Sequence, residues 1–103
     1  MKSDWDSAIR EYREAVRLNP DEARMHENLG SALEAKRDWD GAISEFREAV
    51  RLKPDSATAH YGLGIALESK GDRAGALEEY NAACKLEPND PTPCKKYQEL
   101  SRQ

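Results

Sequence analysis

Apolar residues recur along this chain with helical spacing. Trp39, Ala42, Ile43, Phe46, Ala49, Val50 and Leu52 follow the i, i+3, i+4, i+7 rule of one wide stripe, with charged residues between them. The preceding segment, 22–36, repeats the spacing with Met25, Leu29, Ala32 and Leu33. Two kinds of punctuation separate the stripes. Short turns at Arg37-Asp38 and Gly71-Asp72 offer aspartate N-caps, and Gly71 suits the left-handed residue that closes a helix. Arg37 at the equivalent place is expected to be slightly strained. Longer breaks at Pro20-Asp21, Pro54-Asp55-Ser56 and Pro88-Asn89-Asp90-Pro91 stop one helix and cap the next. The pattern predicts six helices, near 4–18, 22–36, 39–53, 57–70, 73–87 and 91–102. Their short connections favour antiparallel neighbours.

The stripes are copies of one another. Pro20, Pro54 and Pro88 are spaced by 34 residues, and the same shift superposes Ala8, Ala42 and Ala76, then Tyr12, Phe46 and Tyr80. Ala15, Ala49 and Ala83 follow it too, as do Leu18, Leu52 and Leu86. A fixed period of this size signals a stacked array, in which each unit buries its apolar face against the next. Gly30 and Gly64 in the first helix of a pair, and Ala42 and Ala76 in the second, let two backbones approach closely.

These residues resemble the tetratricopeptide repeat, a 34-residue helix–turn–helix unit. Residues 23–56 match one unit through Leu29, Gly30, Leu33, Ala42, Phe46, Ala49 and Pro54, with His26 where the family has tryptophan. Residues 57–90 match a second through Leu63, Gly64, Leu67, Ala76, Tyr80, Ala83 and Pro88, with His60 at the tryptophan place. Leu33 and Leu67 stand where the family has tyrosine. Residues 1–22 match only a second helix, and 91–103 a capping first helix. The resemblance implies an all-α fold, a right-handed α-solenoid of antiparallel helix pairs in a single domain.

It also implies a function: binding of a peptide or partner protein in a concave groove lined by the first helix of each pair. The groove-facing residues are then Arg24, Glu27, Asn28, Ser31 and Glu34, followed by Thr58, Tyr61, Gly62, Ile65 and Glu68, with Lys95 and Glu99 from the last helix. Tyr61 and Ile65, at i and i+4 above Gly62, form the sharpest candidate anchor, set against simple packing on an adjacent helix. Some relatives hold a partner's C-terminal carboxylate with a lysine, asparagine and arginine clamp. Asn28 could supply one member, but Thr58 and Gly62 stand where lysine and arginine are needed, so an acidic tail is not expected.

Composition narrows the alternatives. The chain has 103 residues, 35% charged and 38% hydrophobic, which suits a thin core under a large solvated surface. Net charge is −4 with both signs interleaved, unlike the basic face of a nucleic-acid binder. No apolar run nears the ~20 residues that cross a bilayer, and the N-terminal stretch does not resemble a signal peptide. A cytoplasmic, non-membrane protein is expected. Cys84 and Cys94 read as two small apolar residues kept reduced, with a bridge open if their helices are neighbours.

Catalytic chemistry finds no footing. His26, His60 and Cys94 occupy equivalent places in successive units, but such places lie about a helix pair apart, too far for one metal ion. They read as core or rim residues. No nucleophile–base pair, carboxylate pair or phosphate loop sits in a usable setting, so neither enzyme activity nor a cofactor is expected. The first stripe lacks its partner helix, leaving Ala8, Tyr12 and Ala15 open for self-association into a homo-oligomer. At the other end Lys95, Lys96, Gln98, Glu99 and Arg102 read as a polar cap.

Overall fold

Each apolar stripe forms one helix in the computed structural model, which describes residues 4–103; the first three residues of the half-repeat 1–22 lie outside the described residues. The helices are α1 Trp5–Leu18, α2 Ala23–Ala35, α3 Trp39–Leu52, α4 Ala57–Ser69, α5 Arg73–Leu86 and α6 Pro91–Ser101. Every boundary falls within one residue of the expected position. Consecutive helices pack on one another, and α2 also touches α4, so α2 and α4 form one layer of a solenoid whose other layer holds α3 and α5. Among the described residues no helix is long and apolar enough to cross a membrane.

Local chemistry sets the helix ends. The carboxylates of Asp38 and Asp72 accept the backbone N–H of Gly41 (3.0 Å) and Gly75 (2.9 Å), capping α3 and α5. Within each pair the turn closes as a Schellman motif, with Asp38 N–H on the Leu33 carbonyl (2.8 Å) and Asp72 N–H on that of Leu67 (2.9 Å). That motif needs one left-handed residue. Gly71 supplies it at φ 90°, whereas Arg37 is forced to φ 64°, as expected from the sequence.

The core is a ladder of aromatic rings on small residues. Phe46 (1% exposed) and Tyr80 (0%) are the largest fully buried side chains, flanked by Ala42, Ala49, Ala76 and Ala83. A Cβ at Gly30 would stand 3.0 Å from the Phe46 ring, one at Gly62 2.5 Å, and one at Gly64 2.7 Å from the Tyr80 ring. Phe46 is thus wedged between α2 and α4, each offering it bare backbone. Leu29, Leu33, Leu63, Leu67 and Leu100 complete the cluster.

The two ends differ. No α1 residue is fully buried, and Ala8, Tyr12 and Ala15 are only half-buried where their equivalents in α3 and α5 are sealed. Trp5 and Leu18 are exposed. At the far end α6 is tied down by groups the sequence did not single out. The Arg73 guanidinium donates to the carbonyls of Leu100 (3.0 and 3.2 Å) and Gln103 (2.8 Å). The expectation of reduced thiols is corrected: Cys84 of α5 and Cys94 of α6 form a disulfide, because the two helices pack side by side and bring the Cα atoms to 4.8 Å.

Arg37→Gly should raise stability by about 0.5–1 kcal/mol, since the relief of ~1–2 kcal/mol of left-handed strain is partly offset by glycine's freedom in the unfolded chain. Urea unfolding reads the change. A lowered midpoint would show that Arg37 contributes more through its side chain than it costs in backbone.

Candidate functional site

The α2–α4–α6 layer carries the residues expected to line a groove, and their surroundings differ sharply. Arg24, Ser31, Thr58, Lys95 and Glu99 are exposed, whereas Asn28, Tyr61 and Ile65 are half-buried. Gly62 does not belong with them. It is buried against Phe46, so its face points into the α3–α4 packing rather than the groove. Asn28 and Lys96 hold the equivalent repeat positions on α2 and α6, where a side chain replaces bare backbone.

Tyr61 and Ile65 also pack against the core cluster, and the Tyr61 ring lies 5.7 Å from that of Tyr80 at an interplanar angle of 45°. They are therefore neither free nor sealed. Beside Tyr61 opens a small cavity of about 190 Å³ between the first turns of α4 and α6, lined also by Thr58, Thr92 and Pro93. A wider cleft of about 520 Å³ runs between the first turns of α2 and α4, with Arg24, Met25, Lys53 and Thr58 among its walls. Glu27 borders that cleft but is engaged: its Oε2 accepts from Ser56 Oγ (2.7 Å), and Ser56 Oγ in turn caps α4 at Ala59 N–H (3.2 Å).

The deeper part of the layer holds two glutamates in equivalent places with unequal surroundings. Glu68 accepts the Tyr80 hydroxyl (2.6 Å) and pairs with Lys96 Nζ (3.5 Å), which also lies 5.6 Å from the Tyr80 ring centroid. Burial, then the bond to Glu68 and the charges of Glu68 and Glu34, push the Tyr80 hydroxyl well above the ordinary phenol range. For Glu34, 34 residues earlier, the equivalents of Tyr80 and Lys96 are Phe46 and Gly62, neither of which carries a side-chain donor. Its Oε2 is buried with no hydrogen-bond partner, the one such side-chain oxygen among the described residues. Burial lifts its pKa to about 7. Sequence reasoning treated Glu34 and Glu68 alike; comparing positions 46 with 80 and 62 with 96 could have separated them.

The histidines at the tryptophan place are structural latches. His26 Nδ1 meets Glu45 Oε1 of α3 (2.8 Å) and Nε2 the Pro20 carbonyl (2.8 Å), tying α2 to its partner helix and to the preceding loop. His60 repeats this with Glu79 (2.7 Å) and the Pro54 carbonyl (2.8 Å). Burial pulls the His26 pKa down, but the bond to Pro20 and the bond and charge of Glu45 outweigh it and hold the ring above its ordinary value. Cys94, the third member of the series, is in the disulfide. No group of three His, Cys, Asp or Glu among the described residues is arranged to hold a metal.

The two full helix pairs, their glycine-bedded rings and the 34-residue period meet in one family signature. The tetratricopeptide repeat profile matches residues 2–57 and 35–91. This chain belongs to the tetratricopeptide repeat family. Among solved structures it is similar to the first such domain of Spaghetti (RPAP3) bound to an HSP90 peptide, SRMEEVD, with TM-score 0.92 and 23% identity over 95% of this chain and 78% of that one. It is similar to the Arabidopsis OM64 TPR domain at the same TM-score and identity, over 96% of this chain and 82% of that one. No curated protein sequence matches the chain.

Both raised groups make stability fall as pH rises. Glu34 subtracts stability progressively from its unfolded value of 4.5 up to about 7. The His26 latch contributes fully below 6.5 and is lost as pH rises through its raised folded value. Asp4, Glu14 and Glu48, held low by side-chain hydrogen bonds from Ser7, Arg17 and Arg51, act oppositely at acid pH. The urea midpoint should therefore be higher at about pH 5 than at about pH 8. Glu34→Gln should flatten that fall, leaving the His26 part; a midpoint unchanged between the two pH values contradicts both assignments.

Proposed function

We propose that this repeat protein is a non-catalytic interaction module that takes a peptide segment of a partner protein in the groove of α2, α4 and α6. The observation that carries this is the state of Tyr61 and Ile65: an aromatic and an aliphatic side chain at i and i+4, both half-buried, with a cavity opening beside Tyr61. Tyrosine held in place by packing loses little freedom on binding, which makes it an effective anchor. The peptide bound to the first TPR domain of Spaghetti supports the same use of this scaffold. The partner's chemistry differs, in this reading, from a chain-end carboxylate, because Thr58 occupies α4 where a clamp would place a cation. Arg24, Ser31, Lys95 and Glu99 serve as an exposed polar rim. A cytoplasmic location belongs to this proposal although the Cys84–Cys94 bond is of a kind rare there; finding the chain in an oxidising compartment by cell fractionation overturns that placing.

A second reading rests on α1. Ala8, Tyr12 and Ala15 are half-buried and Trp5 and Leu18 exposed, a face that a second copy would cover. Sedimentation over a concentration series decides it, since a strict monomer excludes self-association.

For the groove, the probe is a peptide selected on this chain from a displayed random library. Tyr61→Ala with Ile65→Ala should weaken it by at least about tenfold while helicity is retained. Unchanged affinity would move the binding surface elsewhere, and a library that yields no binder removes the peptide reading.

A further inference from the structure

The inequality between Glu34 and Glu68 points to what the groove recognises. In the second unit the carboxylate is satisfied from within: Tyr80 donates its hydroxyl, and Lys96 brings an ammonium group that also lies near the aromatic ring. In the first unit the same carboxylate position lacks both, because Phe46 has no hydroxyl and Gly62 no side chain. The carboxyl stands in the last turn of α2, where the helix's own carbonyl ends already favour a cation. It is half-buried overall, with one oxygen sealed and unpaired. We propose that Glu34 anchors a lysine side chain of the bound peptide, which takes the role that Lys96 plays toward Glu68.

The proposal rests on the peptide-groove reading and adds the chemistry of the residue recognised. Nearby groups do not compete for Glu34. Lys36, just past the end of α2, pairs with Asp6 of α1 (3.1 Å), Asp38 caps α3 at Gly41, and Lys96 of α6 is held by Glu68 of α4. Tyr80 of α5 is likewise committed to Glu68, and Tyr61 of α4 faces the Tyr80 ring. An incoming ammonium therefore meets the outer oxygen of a half-buried carboxyl whose inner oxygen is sealed without a partner, where a charge-assisted bond contributes more than at the open surface. Binding expels the Glu34 proton, because a neighbouring cation favours the ionised form.

The probe is N-acetyl-lysine methylamide, with the norleucine analogue as its uncharged counterpart, titrated into the full chain while the Glu34 side-chain carboxyl is followed by NMR. The lysine compound should bring the Glu34 pKa down from about 7 toward its ordinary 4.5. Its apparent affinity should rise about tenfold between about pH 6 and about pH 8, as the ionised fraction grows. The norleucine analogue should do neither. Glu34→Gln should lose the lysine response. That variant remains foldable, since it keeps the side chain's shape and removes a buried ionisable group. Equal responses to the two compounds, or a full lysine response in Glu34→Gln, overturn the proposal. The outcomes separate from those of the library selection: selected peptides with no lysine response remove the anchor alone, whereas a lysine response with no selected peptide overturns the peptide partner.

Discussion

Everything in this structure depends on how closely an aromatic ring can approach a helix backbone. Phe46 and Tyr80 fill the space between successive helix pairs, and they fit because glycine stands where the rings meet the next wall. With Gly62 contributing no Cβ, α4 settles against the Phe46 ring, and the two layers lock at spacings that Ala42, Ala49, Ala76 and Ala83 allow. A packed wedge of this kind resists enlargement, since overpacking costs about 1–3 kcal/mol. At α1 the same wedge is incomplete: Tyr12 has α2 on one side only and stays half-buried.

The same rings set the electrostatics of the groove. A single hydroxyl distinguishes Tyr80 from Phe46, and it decides whether the glutamate above is satisfied. The cost of leaving a buried carboxyl unpaired appears as a pKa near neutrality rather than as a lost fold, because the group gives up its charge instead. Structurally equivalent units are therefore chemically distinct, one self-satisfied and one with a sealed carboxyl oxygen left unpaired. In a repeat array that asymmetry carries information a scaffold alone does not.

A second series of equivalent positions, 26, 60 and 94, shows the array being tied rather than displayed. His26 and His60 each bridge a preceding carbonyl and a glutamate of the partner helix, doing with hydrogen bonds what a tryptophan does by bulk. At the third position Cys94 replaces the latch with a covalent bond to Cys84, and Arg73 holds the end of α6 from below. The solenoid is thus stapled at α6, the last helix described.

The sequence by itself determined the helices, their boundaries to within a residue, the stacking period and the strain at Arg37, because these follow from local geometry and from a 34-residue pattern repeated along the chain. It placed Gly62 in the groove, where position in the repeat suggested it, although the Phe46 ring claims that face. It favoured reduced thiols at Cys84 and Cys94 while leaving a bridge open, and gave Glu34 and Glu68 one role. Only the tertiary structure decided those points, since each turns on which side chain from another helix arrives within a few ångströms, and the periodicity of a single helix carries no record of that.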